Sequence, residues 1–356
     1  MINNSTMKDS PAEMDVASRR RRKLIKLRQR RMELWRLLNS LSESAVGGPL
    51  IPLDPDVPRK RMRSMIETGE KTADDSFGTI AFIGRREEME DALAAHLGFA
   101  EVGGKSYDFY GVFDGHGGRR VAQECSKSMH KVLARALLGG GGAGWAEVMD
   151  AAFKEMDEEV NAKGGAEVEA MGTTAVVALV GENEIVVANC GDSRAVLCRG
   201  KEPAKQLSID HKPETPEELA RIKKGGGMVI EWHGARVCGV LSTSRSLGDK
   251  YLKPHVIPDP GVQVMERQKE DEFLILASDG LWDVVPNELA CQVTRSCLDG
   301  QLKRGELFKK MGGDESTQVG KTDGNLCYEA AAVLVELAIG RGSYDNVSVV
   351  VVDISF

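Results

Sequence analysis

The sequence predicts an α+β fold built from layered antiparallel sheets. Three observations carry that prediction. Short apolar runs of strand length recur from about residue 77 onward. Segments with helical periodicity come in pairs rather than singly between strands. The closing segment, 346–354, is strongly β-branched. Single crossover helices would have pointed to a doubly wound parallel sheet; hairpin-type strands alternating with paired helices do not.

The elements follow in order. Strands are expected at 79–84, 92–97 and 107–113, then a long helix at 118–138 and a second at 145–161. The glycine-rich stretch 139–144 between them fits G-x-G-x-x-G, but no strand precedes it, so it reads as a helix–helix turn rather than a dinucleotide loop. Strands resume at 172–180, 184–189 and 195–199, with Glu182-Asn183 as a tight turn. A helix fits 216–224, strands fit 262–266 and 273–277, and helices fit 287–298 and 327–339 before the final strand.

Residues 1–76 read as a basic, largely disordered extension, and 77–356 as one folded domain. Residues 1–63 hold 15 Lys/Arg against 7 Asp/Glu, while the whole chain of 356 residues carries a net charge of −7. The basic head therefore sits on an acidic body. Arg19-Arg20-Arg21-Arg22-Lys23 opens a basic stretch reaching Arg36, and Arg59-Lys60-Arg61-Met62-Arg63 forms a second cluster. Two readings stand: a solvated, partly helical tail, or a nuclear import signal. Nucleic-acid binding would rest on charge alone. The seven cysteines include no C-x-x-C pair and no C-x5-R loop of a cysteine phosphatase. With no signal peptide, they argue for free thiols in a reducing compartment. No apolar run approaches the roughly 18–20 residues of a membrane span, so a soluble protein of nucleus and cytoplasm is expected.

Two Asp-Gly pairs each follow an apolar run: Asp114-Gly115 after YDFYGVF, and Asp279-Gly280 after FLILAS. Each would hold a carboxylate in a glycine turn at the end of a buried strand. Read alone, an Asp-Gly is a turn signal. In combination with Glu90-Asp91, Asp192, Asp283 and Asp345, the set offers oxygen ligands to hard divalent cations such as Mg²⁺ and Mn²⁺. Phosphate monoester hydrolysis needs acceleration of up to ~10²¹-fold, and general acid–base catalysis supplies only about 10²–10⁴-fold. Metals and positioned cations would have to carry the rest. Arg86 is placed to clamp a phosphate through two oxygens; its plainer reading is an exposed arginine beside Arg85. His116 could protonate a leaving alkoxide; its plainer reading is a histidine supporting the turn.

These residues in this order resemble the metal-dependent type 2C Ser/Thr protein phosphatases. The stretches are Arg86 to Ala92, Val112 to Gly118, Gly172 to Ala175, Asn189 to Arg194, Ser244 to Asp249, Ala277 to Val284 and Asp345 to Ser348. The resemblance implies a central β-sandwich of two antiparallel sheets flanked by helix pairs, with a binuclear metal site between the sheets. Carried over, Asp114 bridges two Mg²⁺ or Mn²⁺ ions, with Glu90, Asp91, the Gly115 carbonyl, Asp279 and Asp345 completing the shell. Asp192 and Asp283 would hold a weaker third ion with Asp279. Arg86 takes the phosphate and His116 is the general acid.

A finer resemblance covers Gly227 to Pro260, in particular Val229 to Val237 and Tyr251 to Pro254. It is similar to the plant group A subfamily, the co-receptors of abscisic acid signalling. It implies a monomer that dephosphorylates SNF1-related protein kinases and is plugged by hormone-bound abscisic acid receptors through Trp232, Arg236 and the Gly117 rim. Trp232, in a glycine-flanked loop beside Glu231 and His233, suits an aromatic anchor; the plainer reading is a tryptophan packed under the flap. Cys238, Ser242-Thr243, Thr173 and a short insert at 163–171 depart from the group pattern, and none is a metal ligand. A non-catalytic module sequestering kinases or receptors would need a broken ligand set, and every position is filled.

Overall fold

The computed structural model describes residues 76–139, 143–163, 170–231, 234–302 and 325–355. The extension, both basic clusters included, and Trp232 lie outside the described residues. The chain opens with β1 (Phe77–Phe82), β2 (Ala92–Val102), β3 (Lys105–Phe113) and the two-residue β4 (Gly115–His116). Helices α1 (Arg120–Gly139) and α2 (Trp145–Ala162) follow, then β5 (Gly172–Thr173), β6 (Ala175–Gly181), β7 (Glu184–Cys190), β8 (Arg194–Arg199) and β9 (Lys205–Gln206). Next come α3 (Pro216–Lys224), the hairpin β10 (Val229–Glu231) and β11 (Ala235–Val237), and β12 (Leu247–Gly248). The chain closes with β13 (Gly261–Glu266), β14 (Asp271–Ala277), α4 (Asp279–Trp282), α5 (Asn287–Leu298), α6 (Leu326–Gly340) and β15 (Val347–Asp353).

Two five-stranded antiparallel sheets form, in the orders β1-β15-β14-β8-β9 and β13-β7-β6-β3-β2. They are the expected sandwich. Strand alternation explains the layering. On β15, Val350 and Val352 join the layer between the sheets, while Val347, Val349 and Val351 face α5 and α6. On β3, Tyr110 and Val112 point to the inter-sheet layer, while Phe109 and Phe113 pack under α1 and α2. β3 and β15 are thus apolar on both faces, which is why the sequence showed unbroken apolar runs there instead of alternation. Helix α6 is buried around almost its whole circumference, from Cys327 to Ile339.

Three expectations need correction. The strand expected at 172–180 is two strands, because the chain turns at Thr174, whose N–H donates to the Asp114 carbonyl at 2.9 Å. The second Asp-Gly does end a buried strand, but it is not a glycine turn: it forms the first residues of the short helix α4. Nor are all thiols free. Cys198 on β8 and Cys291 on α5 form a disulfide, with Cα atoms 5.9 Å apart, and Cys125, Cys190, Cys238, Cys297 and Cys327 take part in none. The two sulfurs meet because β8 and α5 pack in one apolar layer, a proximity the sequence spacing did not signal. Among the described residues no helix is long and apolar enough to cross a membrane.

Away from the acidic residues, His96 on β2 and His130 on α1 stack with ring centroids 3.6 Å apart. Burial, then the charges of His96 and Lys131, push His130 down to about 4. The folded value lies below the unfolded one of about 6.5. Stability is therefore complete above that pH and is lost as pH falls from about 6.5 toward 4. His130→Gln should narrow the difference in melting temperature between pH 7.5 and pH 5; an unchanged difference would refute this.

Candidate active site

The sheet ends bring the acidic residues together from both halves of the sandwich. Asp91 immediately precedes β2, and Asp114 links β3 to β4. Both belong to one sheet. Asp279 follows β14 and Asp345 precedes β15, both in the other. Asp192 sits where the chain passes from β7 in one sheet to β8 in the other. Asp283 caps the end of α4.

Close backbone approach fixes this arrangement. A Cβ on Gly115 would lie 2.3 Å from the Glu90 carbonyl oxygen, and one on Gly280 would lie 2.0 Å from that of Asn346. Only glycine allows the two pairs of segments to meet. Asn346 then straps the Arg86 loop. Its Nδ2 donates to the Ile83 carbonyl at 2.8 Å and the Glu88 carbonyl at 3.1 Å, and its Oδ1 accepts from the Glu90 N–H at 2.8 Å. Thr174 Oγ1 accepts from the Asp114 N–H at 3.2 Å and bonds Ser193 Oγ at 2.7 Å.

The carboxylates act on one another. Burial, then the charges of Asp91, Asp279, Asp192 and Asp345, hold Asp114 well above the usual carboxylate range. Burial, then Asp192, Asp283 and Asp345, does the same to Asp279. Burial also raises Asp283, with Lys212 opposing. Asp91 is pushed up to about 6, chiefly by burial and against the help of the Ser348 and Ser278 hydroxyls. Its Oδ2 accepts from Ser278 Oγ at 3.0 Å, while its buried Oδ1 has no partner among the described residues.

A buried oxygen without a donor, inside a group of mutually repelling carboxylates, fits a divalent cation: the charge that costs stability becomes the charge that binds. Among the described residues no three His, Cys, Asp or Glu side chains close into a ready-made ligand cage. The set is an open acidic cleft, of the kind that suits an ion keeping several of its waters.

The cations are placed around this cleft. Arg86 is exposed, and its Nη2 donates to Asp345 Oδ2 at 2.6 Å. The Lys212 ammonium donates to Asp192 Oδ2. His116 lies in a small sheet, β12-β5-β4, that brings its Nε2 within 2.6 Å of the fully buried Asp249. Burial pulls the imidazole down, but Asp249's charge and hydrogen bond outweigh it and hold His116 above its ordinary value. Asp249 has a left-handed backbone, φ 45°. Its neighbour Gly248 is held by Asp157 of α2, which accepts from the Gly248 N–H at 2.8 Å and from Lys253 Nζ at 2.9 Å.

All eight proposed metal positions and both Arg86 and His116 therefore gather at one end of the sandwich. Gly117 is exposed beside them. Arg236 lies on the β10–β11 hairpin, half-buried, with Nη1 donating to the Val240 carbonyl at 2.8 Å. Sequence reading missed Asn346 as a strap, Asp249 as the partner of His116 and Lys212 as a cation of the cleft. A cavity of about 350 Å³ lined by Lys105, Tyr107, Trp145 and Glu184 lies at the far end of β3 from Asp114 and is a separate feature.

Comparison with known proteins places this architecture. The family profile Protein phosphatase 2C matches residues 75–347. The chain is similar to Probable protein phosphatase 2C 8 of Oryza sativa subsp. japonica, 50% identical over 315 residues that cover 78% of this chain and 74% of the relative. It is also similar to Protein phosphatase 2C 37 of Arabidopsis thaliana, 41% identical over 377 residues covering 92% and 91% of the two chains. In fold it resembles the crystal structure of serine-threonine phosphatase 2C from Toxoplasma gondii, with a TM-score of 0.63, 22% identity and coverage of 78% of this chain and 94% of that one.

Proposed function

The chain belongs to the protein phosphatase 2C family, a family of metal-dependent Ser/Thr protein phosphatases, and from that premise we propose that it removes phosphate from phosphoserine and phosphothreonine on SNF1-related protein kinases. It would thereby act as a negative regulator of abscisic acid signalling in nucleus and cytoplasm, inhibited by hormone-bound receptors. The observation that carries the catalytic part is the convergence of carboxylates from both sheets beside an exposed arginine and a carboxylate-held histidine.

In this reading Asp114, Glu90, Asp91, the Gly115 carbonyl, Asp279 and Asp345 hold two Mg²⁺ or Mn²⁺ ions, and Asp192 and Asp283 join Asp279 at a third position. The chemistry supplied by such ions is activation of a water and neutralisation of charge on the phosphoryl oxygens. Arg86 turns from Asp345 to grip the substrate phosphate, where a guanidinium can meet two oxygens at once. His116, held above its ordinary value by the charge and hydrogen bond of Asp249, gives its proton to the departing serine or threonine oxygen. The buried Asp249 carboxylate fixes the ring so that this donor does not wander.

The regulatory part rests on the sequence of the hairpin and the loop carrying Trp232. Met228, Ile230 and Val240 are exposed on or beside β10 and β11, which leaves apolar surface for a partner. Phosphatase activity on a phosphorylated kinase activation-loop peptide in Mn²⁺ buffer, with a receptor and with or without abscisic acid, tests both parts. The expected result is hydrolysis that the receptor suppresses when hormone is present. Trp232→Ala should retain the hydrolysis and lose the suppression. Suppression as strong as in the unaltered protein would refute the anchor role of Trp232.

A further inference from the structure

The carboxylates at the third position have a partner of their own. Lys212 lies between β9 and α3, and its ammonium donates to Asp192 Oδ2. The Asp192 side chain is 4% exposed and that of Lys212 29%, so the pair is largely withdrawn from water. The other two carboxylates of the group, Asp279 and Asp283, open and cap the single-turn helix α4, so they lie one turn apart, and the Lys212 charge reaches both.

Its aim is built into the backbone. The Lys212 segment is tied to the Asp192 turn by two bonds between adjoining residues: the His211 N–H donates to the Gly191 carbonyl at 2.9 Å, and the Gly191 N–H to His211 Nδ1 at 3.1 Å. Arg194 reaches back across the same gap, its Nε donating to Asp210 Oδ1 at 3.1 Å. On the other side, the Lys212 carbonyl accepts from Thr215 Oγ1 at 2.9 Å and from the Thr215 N–H at 3.1 Å. A lysine held at both flanks is no wandering surface cation.

We propose that the Lys212 ammonium is the chain's own cation at the Asp192–Asp279–Asp283 group, and that a third divalent ion binds there only by displacing it. An ammonium is compact and carries three donors, which suits a position between several carboxylates. It satisfies them with one unit of charge and no open coordination position. Lys212 thereby keeps the cleft at two ions until divalent metal is abundant. The proposal rests on the metal assignment given under Proposed function.

The test is a titration of the full chain with Mn²⁺, following free Mn²⁺ by electron paramagnetic resonance. The unaltered protein should bind two ions well and a third weakly. Lys212→Gln should tighten the third ion tenfold or more, because a unit positive charge beside a divalent ion is removed. Lys212→Arg, which keeps the charge, should leave the third ion weak. Unchanged third-ion affinity in Lys212→Gln, or equal tightening in Lys212→Arg, overturns the proposal and leaves the two-ion assignment standing. No Mn²⁺ binding by the unaltered protein overturns that assignment and this proposal with it. Should the variants fail to fold, the unaltered chain decides. Acetylation of Lys212, read by mass spectrometry, should speed up across the Mn²⁺ range that fills the third position, and a constant rate overturns the displacement.

Discussion

Asp114→Asn should lower phosphopeptide hydrolysis in Mn²⁺ buffer by about 10³-fold or more, since loss of a single preorganised electrostatic element already costs roughly 10²–10³ in turnover. The same substitution should raise the stability of the protein in chelator. Burial and the charges of Asp91, Asp279, Asp192 and Asp345 put the folded Asp114 well above its unfolded value. A carboxyl raised in this way contributes stability that is present below the unfolded pKa and disappears as pH rises through the folded one. At neutral pH its ionised form is therefore a burden that the neutral amide removes. In Mn²⁺ the order should invert, because the cation rewards the carboxylate and not the amide. Melting curves of both proteins in EDTA and in Mn²⁺ would show crossed effects. A variant less stable than the unaltered protein in EDTA would contradict the electrostatic account, and full activity would sink the metal assignment.

Gly280→Ala should destabilise the fold by about 3 kcal/mol or more, the upper range for a contact that cannot relax. The added Cβ would stand 2.0 Å from the Asn346 carbonyl oxygen and 3.3 Å from the Asp345 Cβ, and the first of these is backbone. Asn346 also straps the Arg86 loop, so the displacement passes to Glu90 and Arg86. Activity should fall more than the loss of folded protein explains. Denaturant titration should show a lower midpoint with an unchanged slope. A midpoint equal to that of the unaltered protein would mean that α4 moves away freely and that the packing of Asp279 is not fixed by this contact.

Much of the framework could be read from the chain because its signals are local. The bounds of α3 and α5 coincide with expectation, where Pro216 opens one helix and Pro286 precedes the other. β2 runs further than expected, to Val102, because its register against β3 shifts between His96 and Ala100 and breaks the period that the eye follows. The two-residue strands β4, β5 and β12 are too short to carry any period, yet they set His116 against Asp249. The acidic residues of the cleft were legible as strand-end carboxylates. Their supports were not. Asn346 reaches residues more than 250 positions away, and Lys212 meets Asp192 across 20. A lysine before a proline has no local mark that separates a cleft cation from a solvated one.

Among the described residues the two sheets share no backbone ladder; what joins them is a layer of side chains such as Tyr110, Val187, Leu274 and Val350. The acidic cleft takes Asp91 and Asp114 from one leaf and Asp279 and Asp345 from the other. Its geometry is therefore a vernier on the slip between the leaves. A sub-ångström slide that disturbs no strand pairing changes every distance across the cleft at once. Buried methyl groups toward the other end of these strands, such as those of Leu274 and Val352, which pair across β14 and β15, thus act as alignment pins for the chemistry.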